Sequence, residues 1–395
     1  MDCVYLGLER EGLLMEVEPP RQPSGHPDAA LGVTLLRIDG PAWDAALADA
    51  PRSVFHGAGY HRYTQGFGHG EPYLAVVDDG GQGVAWPYIL RPVSEVPSLA
   101  GTGAMDVSSV YGYPGPVVWG CRPGDRFVDD ALTSIADTWR RQRAVSAFTR
   151  FNPLLGNASI VPGLSAQPGG ISADGVVAAG STVSVDLGLD DARIRVGFGR
   201  GLARDIAAGR IAGLRTIHDM AWRHLPTFAE LYRENMRRLG ASEFYYFADD
   251  DFRRLRAMLP DEAHLLVTLS GETVAAAGIF LESGTAIEWH LAGANSTMLD
   301  ISPSKVLIDD AVRWARARGF RAMHLGGGRG GREDSLWWFK SRFSPLRHPF
   351  AIGRWVLDPR AYAELTAARA AAVPEGGRPD HSFFPAYRAP LLNTD

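Results

Sequence analysis

The stretch from Ala263 to Ala292, AHLLVTLSGETVAAAGIFLESGTAIEWHLA, decides the fold. It contains three apolar runs, and the sequences SGE at 270–272 and SG at 283–284 are typical of hairpin turns. The pattern therefore predicts three antiparallel strands. A helix at 303–317 and a buried strand at 322–325 follow, which predicts a βαβ unit beside the meander. This combination indicates a mixed sheet, so the expected fold class is α/β with mixed, α+β-like sheets.

A similar order of elements is predicted in both halves of the chain. In the first half the elements are a strand at 32–38, a helix at 41–49, a hairpin at 73–92, a loop at 105–119, a helix at 125–140 and a strand at 145–151. In the second half the meander is preceded by a strand at 181–187, an Arg-rich helix at 192–212, a strand at 214–218 and helices at 220–239 and 249–258. The βαβ unit is followed by a helix at 335–343, a strand at 350–356 and a helix at 362–372. The repetition suggests a duplicated α/β unit.

The domain division follows from a Gly-, Ser-, Ala- and Pro-rich region with few periodic apolar residues. We expect a first domain at 1–165, a linker or loop at 166–180, a second domain at 181–358, and a C-terminal helix and tail at 359–395. Whether this C-terminal region packs on the first domain is left open by the sequence.

Composition excludes several classes of protein. The chain has 395 residues, a net charge of −5 and 46% hydrophobic residues, which is ordinary for a globular protein and gives no global basic field for DNA. A local basic patch remains compatible with this charge. No apolar run is long enough to span a membrane, and Glu9, Arg10 and Glu11 interrupt a signal-peptide pattern, so a cytoplasmic protein is expected. The two cysteines, Cys3 and Cys121, make no disulfide framework.

Lysine is unusually rare, since only Lys305 and Lys340 stand among 40 basic residues. Codon bias explains the excess of arginine but not the two exceptions. Lys305 lies in the first turn of a helix that Ser302 is expected to cap and Pro303 to begin. A cation there opposes the helix dipole, which suggests that Lys305 and Ser304 contact an anionic substrate group. The alternative is a solvated lysine at a helix end.

A glycine run at 326–328 ends the strand of the βαβ unit and would let a ligand approach the backbone closely. It matches neither the dinucleotide nor the Walker pattern. Arg329 and Arg332 could pair with phosphates, or the segment could be a flexible turn. In the helix that follows, Lys340 lies beside an apolar stripe that includes Phe339, from where its ammonium could stabilise an oxyanion.

Aromatic and histidine residues give further candidates. Tyr245 and Tyr246 belong to a run of four aromatics that forms either core or the wall of a pocket. Tyr111 and Tyr113 lie in a loop of a composition that suits recognition. The histidines of another expected loop, His56, His61 and His69, match no zinc spacing, so no metal site is predicted.

Taken in order, several segments resemble the Fem-like branch of the GNAT superfamily. They are the second-half segments 231–247, 289–293 (WHLAG), 302–307, 325–328 (LGGG) and 334–343, together with 110–116 (VYGYPGP) and 150–155 (RFNPLL) of the first half. The resemblance covers most of residues 50–358, and order and spacing carry it rather than any single motif. It implies two tandem GNAT-like domains and an enzyme that forms an amide from an aminoacyl-tRNA and an amine acceptor, without a cofactor.

The resemblance also implies roles for individual residues. Phe339-Lys340 matches the Phe-Lys pair of the family's second domain, where the lysine would stabilise the ester oxygen as the tetrahedral intermediate forms. Trp289, His290 and Asp334 lie in matching segments and are candidate substrate-binding residues, and Asp334 or Glu288 could accept the amine proton. The acceptor would be a cell-wall precursor or a small peptide of natural-product biosynthesis.

Two departures keep other functions open. The acetyl-CoA signature is absent at 298–304, and the long helical arm of some Fem factors is missing. An arginine cluster could serve the tRNA acceptor end despite the acidic balance; its members are Arg193, Arg195, Arg200, Arg204, Arg210 and Arg215. The alternatives are an acyl-CoA-dependent N-acyltransferase and a non-catalytic binding protein on the same double fold.

Overall fold

A computed structural model of the chain describes residues 31–161, 175–241, 243–374, 377–380 and 382–392. The strands are β1 (Thr34–Arg37), β2 (Glu71–Asp78), β3 (Gly83–Pro92), β4 (Met105–Ser108), β5 (Val117–Trp119), β6 (Ala144–Arg150), β7 (Gly175–Asp186), β8 (Leu214–His218), β9 (Ala263–Ser270), β10 (Thr273–Ser283), β11 (Ala286–Ala294), β12 (Ala322–Gly326), β13 (Arg347–Val356), β14 (Arg378–Pro379) and β15 (Leu391–Leu392). The helices are α1 (Ala42–Ala46), α2 (Ala58–Gln65), α3 (Arg126–Arg141), α4 (Asp191–Val196), α5 (Leu202–Ile211), α6 (Leu225–Arg238), α7 (Asp249–Met258), α8 (Pro303–Ala317), α9 (Ser335–Ser341) and α10 (Pro359–Ala371).

Within the described ranges, one sheet of 13 strands has the order β1-β2-β3-β4-β6-β13-β7-β12-β11-β10-β9-β8, with β5 paired to β3. In the first five strands, β1 to β4 are antiparallel neighbours, and β4 and β6 are parallel and joined through α3. The last five repeat this plan, since β8 to β11 are antiparallel and β11 and β12 are parallel and joined through α8. The mixed α/β fold class and the duplicated unit are therefore confirmed.

The two units meet through β13 and β7, which pair antiparallel with each other in the middle of the sheet. β13 also pairs with β6 of the first unit, and β7 pairs with β12 of the second. Because the sheet is continuous, the domain bounds 1–165 and 181–358 stay a prediction. Of the expected linker, residues 166–174 lie outside the described part, whereas 175–180 belong to β7.

Alternating side chains of β10 place the second unit's core on both faces of the sheet. Ile279 and Leu281 pack with residues of α6 and α7 on one face. Ala276 and Phe280 pack with residues of α8 on the other. This period of two is what the sequence of the meander predicts.

Three local predictions are wrong. The expected helix at 192–212 is two helices, α4 and α5, because Gly197, Gly199 and Gly201 lie between them and Gly201 has φ of +76°. The expected loop at 105–119 contains the short strands β4 and β5. The expected loop around His56 and His61 contains a 3-10 helix and α2, and both histidines are fully buried.

The C-terminal region contacts the first unit. Leu365 of α10 and Tyr387 share a buried cluster with Val145 of β6. The Arg388 guanidinium donates through Nε to Asp106 Oδ2 at 2.5 Å, and its Nη2 donates to the Pro92 carbonyl at 2.6 Å. Arg388 thus fixes the C-terminal segment to β3 and β4.

Candidate functional site

The site begins where β11 and β12 separate. The two parallel strands are in register from Ala286 and Ala322 to Glu288 and His324, which form the last pair. β11 then continues to Ala294, while β12 ends at Gly326. Side chains near this opening come from β11, β12, α9 and the loop between β4 and β5.

Lys340 reaches the opening from α9. Its Nζ donates to the Gly327 carbonyl at 2.7 Å and lies 5.3 Å from the centroid of the Trp289 ring, and the residue is 9% exposed. Burial lowers the pKa of Lys340 to about 7, against the opposing charges of Asp334 and Glu288. Near neutral pH this lysine therefore exists both as an ammonium that can donate to an oxyanion and as a free amine.

Glu288 and His324 form a buried hydrogen-bonded pair across β11 and β12. His324 Nδ1 lies 2.6 Å from Glu288 Oε2, and the two residues are 1% and 3% exposed. In the described part of the chain, His324 Nε2 has no hydrogen-bond partner. The pair thus has one ring nitrogen whose hydrogen-bonding capacity is unused.

Tyr113 faces the same place from the first unit. Its ring centroid lies 5.1 Å from that of His324 and 5.4 Å from that of Phe350. A Cβ on Gly326 would lie 3.3 Å from both Tyr113 Oη and Lys340 Nζ, so both groups lie close to this glycine. Gly326 also has φ of +75°, which favours glycine independently.

Two asparagines hold the loop that carries Tyr113. Asn152 Nδ2 donates to the Tyr113 carbonyl at 3.1 Å, and Asn157 Nδ2 donates to the carbonyls of Pro114 and Pro116 at 2.7 and 2.9 Å. Both asparagines are buried. The RFNPLL segment at 150–155 therefore contributes to the site by fixing this loop.

Aromatic side chains continue the wall beyond Tyr113. His290 lies among Phe55, Tyr60 and Tyr111, with ring centroids 5.8 to 6.4 Å apart, and burial lowers the pKa of His290 to about 3. Tyr245 contacts the Tyr111 ring at 5.7 Å. The structure thus brings these candidates into one neighbourhood.

Tyr246 differs from its neighbour Tyr245 because it is exposed.

Phe339 lies next to the site, with its ring centroid 6.2 Å from that of Trp289 and 5.5 Å from that of Phe343. The two residues of the Phe-Lys pair therefore point to different places. Phe339 packs against the core of the second unit, and Lys340 points to the opening.

The arginines after the glycine run lie on the surface. Arg329 Nε pairs with Asp334 Oδ2 at 2.7 Å, and Arg332 is exposed. Asp334 is the N-cap of α9 and accepts from the amides of Leu336 and Trp337. Partial burial raises the pKa of Asp334, but these hydrogen bonds outweigh burial and keep it below its usual value. Asp334 Oδ1 thus caps α9, which carries Lys340, while Oδ2 accepts from Arg329.

The other lysine is held by a carboxylate. Lys305 Nζ donates to Asp205 Oδ2 at 2.8 Å and to Ser302 Oγ at 3.1 Å, and Arg342 reaches the same carboxylate oxygen at 3.2 Å. The hydrogen bond from Lys305 lowers the pKa of Asp205 to about 2. Ser302 occupies the N-cap position with φ of 59° but makes no side-chain cap, so that expectation is wrong. Ser304 is half-buried in the same turn.

Sequence reasoning missed the pairing of Glu288 with His324. It named Glu288 only as one proton acceptor among several and gave His324 no role. Each is an ionisable residue inside a run predicted to be a buried strand, AIEWHLA and AMHLG, and the two strands are predicted neighbours. That coincidence is the signal which could have found the pair.

Metal binding and membrane insertion are two further properties on which the structure bears. Among the described residues, no group of three or more His, Cys, Asp or Glu side chains is placed to hold a metal ion. In the same part of the chain, no helix has the length and apolar character needed to cross a membrane.

Comparison with known proteins places the fold. Residues 200–334 match the family model described as Acetyltransferase (GNAT) domain, and no curated protein matches the sequence significantly. The crystal structure of FemX is similar with a TM-score of 0.61 at 12% identity, over 84% of this chain and 99% of that chain. A conserved protein of unknown function from Bacteroides thetaiotaomicron is similar with a TM-score of 0.51 at 10% identity, over 82% and 99%.

A tandem GNAT protein from the clavulanic acid biosynthesis pathway is also similar, with a TM-score of 0.42 at 10% identity, over 82% of this chain and 98% of that chain. The family match and the FemX likeness together confirm the expected Fem-like GNAT fold. Residues 200–334 thus resemble a GNAT domain, and at these identities the structural likeness concerns the fold alone.

Proposed function

We propose that the chain transfers an aminoacyl group from aminoacyl-tRNA to the amine of a small molecule or peptide. The observation that carries the proposal is the buried Lys340, whose Nζ lies between the Gly327 carbonyl and the Trp289 ring at the opening between β11 and β12. A desolvated cation at such a place strengthens any interaction with a developing negative charge. No cofactor is required, because the ester of the donor is already activated.

The proposed reaction is direct aminolysis of an ester. The acceptor nitrogen attacks the carbonyl carbon, the oxygen becomes an oxyanion, and Lys340 donates a hydrogen bond to it. The C–O bond to the ribose then breaks as the amide forms. Positioning of the two substrates supplies much of the rate, and no covalent enzyme intermediate is needed.

The surroundings of Lys305 favour tRNA over acyl-CoA as donor. An acyl-CoA pyrophosphate is expected to bind amides at the start of the helix that follows β11. Here a 3-10 helix, Ser296–Ile301, precedes α8, and Lys305 is neutralised by Asp205. An acyl-CoA-dependent N-acyltransferase is therefore the second candidate, supported by the family match at 200–334.

The arginine cluster supports tRNA binding only in part. Arg195 and Arg210 pair with Asp309, and Arg204 pairs with Asp205. Arg193, Arg200 and Arg215 are exposed, and Arg193 lies 4.0 Å from Asp190. Any contact with the tRNA phosphates would use these exposed members first.

The test is transfer of a labelled aminoacyl group to candidate amines with either charged tRNA or acyl-CoA as donor. We expect product with charged tRNA, and none after ribonuclease treatment. Lys340→Met should lower kcat about 10²–10³-fold, the usual effect of losing one oxyanion donor. Arg360→Met, which removes an exposed cation of α10, is the control and should match wild type. Ribonuclease-resistant product, or a Lys340→Met effect below about threefold, would contradict the proposal.

A further inference from the structure

Aminolysis releases a proton from the attacking nitrogen, and an ammonium that donates to the oxyanion cannot accept it. We infer that His324 is the general base which takes this proton, with Glu288 as the residue that positions its ring. This inference rests on the proposed function. It is carried by the geometry of the buried pair, its place beside Lys340 and a comparison with the duplicated unit.

The first observation is the orientation of the imidazole. Glu288 Oε2 lies 2.6 Å from His324 Nδ1, so the carboxylate accepts the Nδ1 proton. In the neutral ring this tautomer leaves a lone pair on Nε2. Nε2 is buried and has no partner in the described part of the chain, which is the state a base needs before its substrate arrives.

The second observation is the distance to the other groups of the site. Glu288 is close enough for its charge to act on Lys340. The Tyr113 ring lies 5.1 Å from the His324 ring, and a Cβ on Gly326 would meet Tyr113 Oη and Lys340 Nζ at 3.3 Å. His324 and Lys340 therefore both lie beside Tyr113, near the place where β11 and β12 separate.

The third observation is what the other unit has at the matching position. β4 and β6 are parallel like β11 and β12, and their last registered pair is Val107 and Ala147. Both are buried in the apolar core. One position earlier β4 does bury a carboxylate, Asp106, but the Arg388 guanidinium pairs with it. At the last pair the topology thus requires no ionisable residue, and burying a carboxylate is unfavourable unless it is paired. Chemistry gives a reason for Glu288 and His324 that packing does not.

The proton balance closes within the pair. As the N–C bond forms, the N–H proton moves to His324 Nε2, and Glu288 stabilises the imidazolium. When the C–O bond breaks, the same proton passes to the leaving ribose oxygen. The enzyme returns to its starting state, with one amide and one free hydroxyl formed.

The pH profile of kcat should show this role. The ionisable groups around His324 are Glu288 of β11, Tyr113 of the β4–β5 loop and His348 of β13. Lys340 of α9 acts on this group through the charge of Glu288. We expect the pH profile to have a rising limb, because a general base must be unprotonated to act, and a falling limb as Lys340 loses its proton. Glu288→Gln should move the rising limb to lower pH, because the imidazolium loses its carboxylate.

The experiment compares His324→Gln and Glu288→Gln with wild type, with His218→Gln, a half-buried histidine of β8, as control. His324→Gln should lower kcat 10²–10⁴-fold and leave both KM values within about threefold of wild type. The pH profile of this variant should lack the rising limb, whereas His218→Gln should match wild type. Independently of activity, ¹⁵N NMR of wild type should show His324 protonated on Nδ1 and not on Nε2.

The outcomes separate this inference from the proposed function. If wild type transfers aminoacyl groups but His324→Gln keeps its rate within threefold and its rising limb, the base is another group. An Nε2–H tautomer in wild type overturns the inference even where the variant fails to fold. Absence of transfer by wild type overturns the proposed function, and the role of His324 with it.

Discussion

Lys340 lowers the stability of the folded chain, because its charge is desolvated there. The folded pKa is about 7, whereas the ordinary value of lysine is 10.5. Between these values the unfolded chain binds the extra proton, so the free energy of unfolding of wild type rises with pH. Lys340→Met should therefore raise the free energy of unfolding by roughly 1–4 kcal/mol below pH 7, less what the unpaired Gly327 carbonyl costs.

The measurement is urea unfolding of wild type and Lys340→Met between pH 6 and 10. The gain in stability should be constant below about pH 7 and should shrink as pH rises towards 10.5. A gain that grows with pH, or a destabilised variant at pH 6, would show that Lys340 is not held in a desolvated state. Arg360→Met of α10 serves again as the control for loss of a cation.

Single elements were predictable wherever the pattern is local. The meander, α3, α8 and β12 follow from hydrophobic period and turn residues, and the structure has them within a few residues. β4 and β5 were missed because they have only four and three residues. The site was predictable only in part: Lys340 stood out by rarity, whereas the contact of Glu288 with His324 joins positions 36 residues apart.

The close contact between β7 and the 3-10 helix Arg329–Gly331, which follows the glycine run, depends on two elements together. A Cβ on Gly331 would collide with the Ala179 carbonyl, whereas a Cβ on Gly330 would meet nothing within 4 Å. Both glycines have positive φ, at 79° and 60°. Backbone strain should cost each alanine variant about 1 kcal/mol. The difference in stability between the two variants therefore measures the effect of the collision with Ala179.

We therefore expect Gly331→Ala to lower the urea midpoint clearly more than Gly330→Ala does, because the segment 329–331 must move away from β7. Since α9 follows directly, the movement should also lower kcat of Gly331→Ala and leave that of Gly330→Ala near wild type. Equal urea midpoints for the two variants would mean that β7 and the 3-10 helix Arg329–Gly331 do not touch in solution.

At the scale of the whole molecule, duplication has produced two units with different tasks. The second unit has an ionisable pair where β11 and β12 separate, and the first has Val107 and Ala147 at the matching position. The first unit contributes Tyr113 and the asparagines that fix its loop. One unit thus supplies the proposed reacting groups and the other supplies part of the wall, which explains why a single GNAT unit would leave the site incomplete.

The C-terminal segment stabilises the first unit through a buried charge pair. Arg388 and Asp106 side chains are 8% and 3% exposed, and Asp106 also accepts from Ser146 Oγ at 2.9 Å and from the Tyr387 hydroxyl. Removing one partner of a buried pair leaves the other charge uncompensated, which typically costs 3–5 kcal/mol. Because two hydroxyl donors remain on Asp106, Arg388→Met should cost about 3 kcal/mol.

The comparison variant is Arg360→Met, which breaks the exposed pair with Glu364 at 2.9 Å and should leave the midpoint unchanged. In urea unfolding, Arg388→Met should shift the midpoint strongly while a folded sample keeps the kcat of wild type, since Arg388 contacts β3 and β4 and not the opening at β11 and β12. An Arg388→Met midpoint equal to that of Arg360→Met would show that the C-terminal segment does not hold the first unit. Loss of kcat in the folded variant would show instead that the segment shapes the Tyr113 loop.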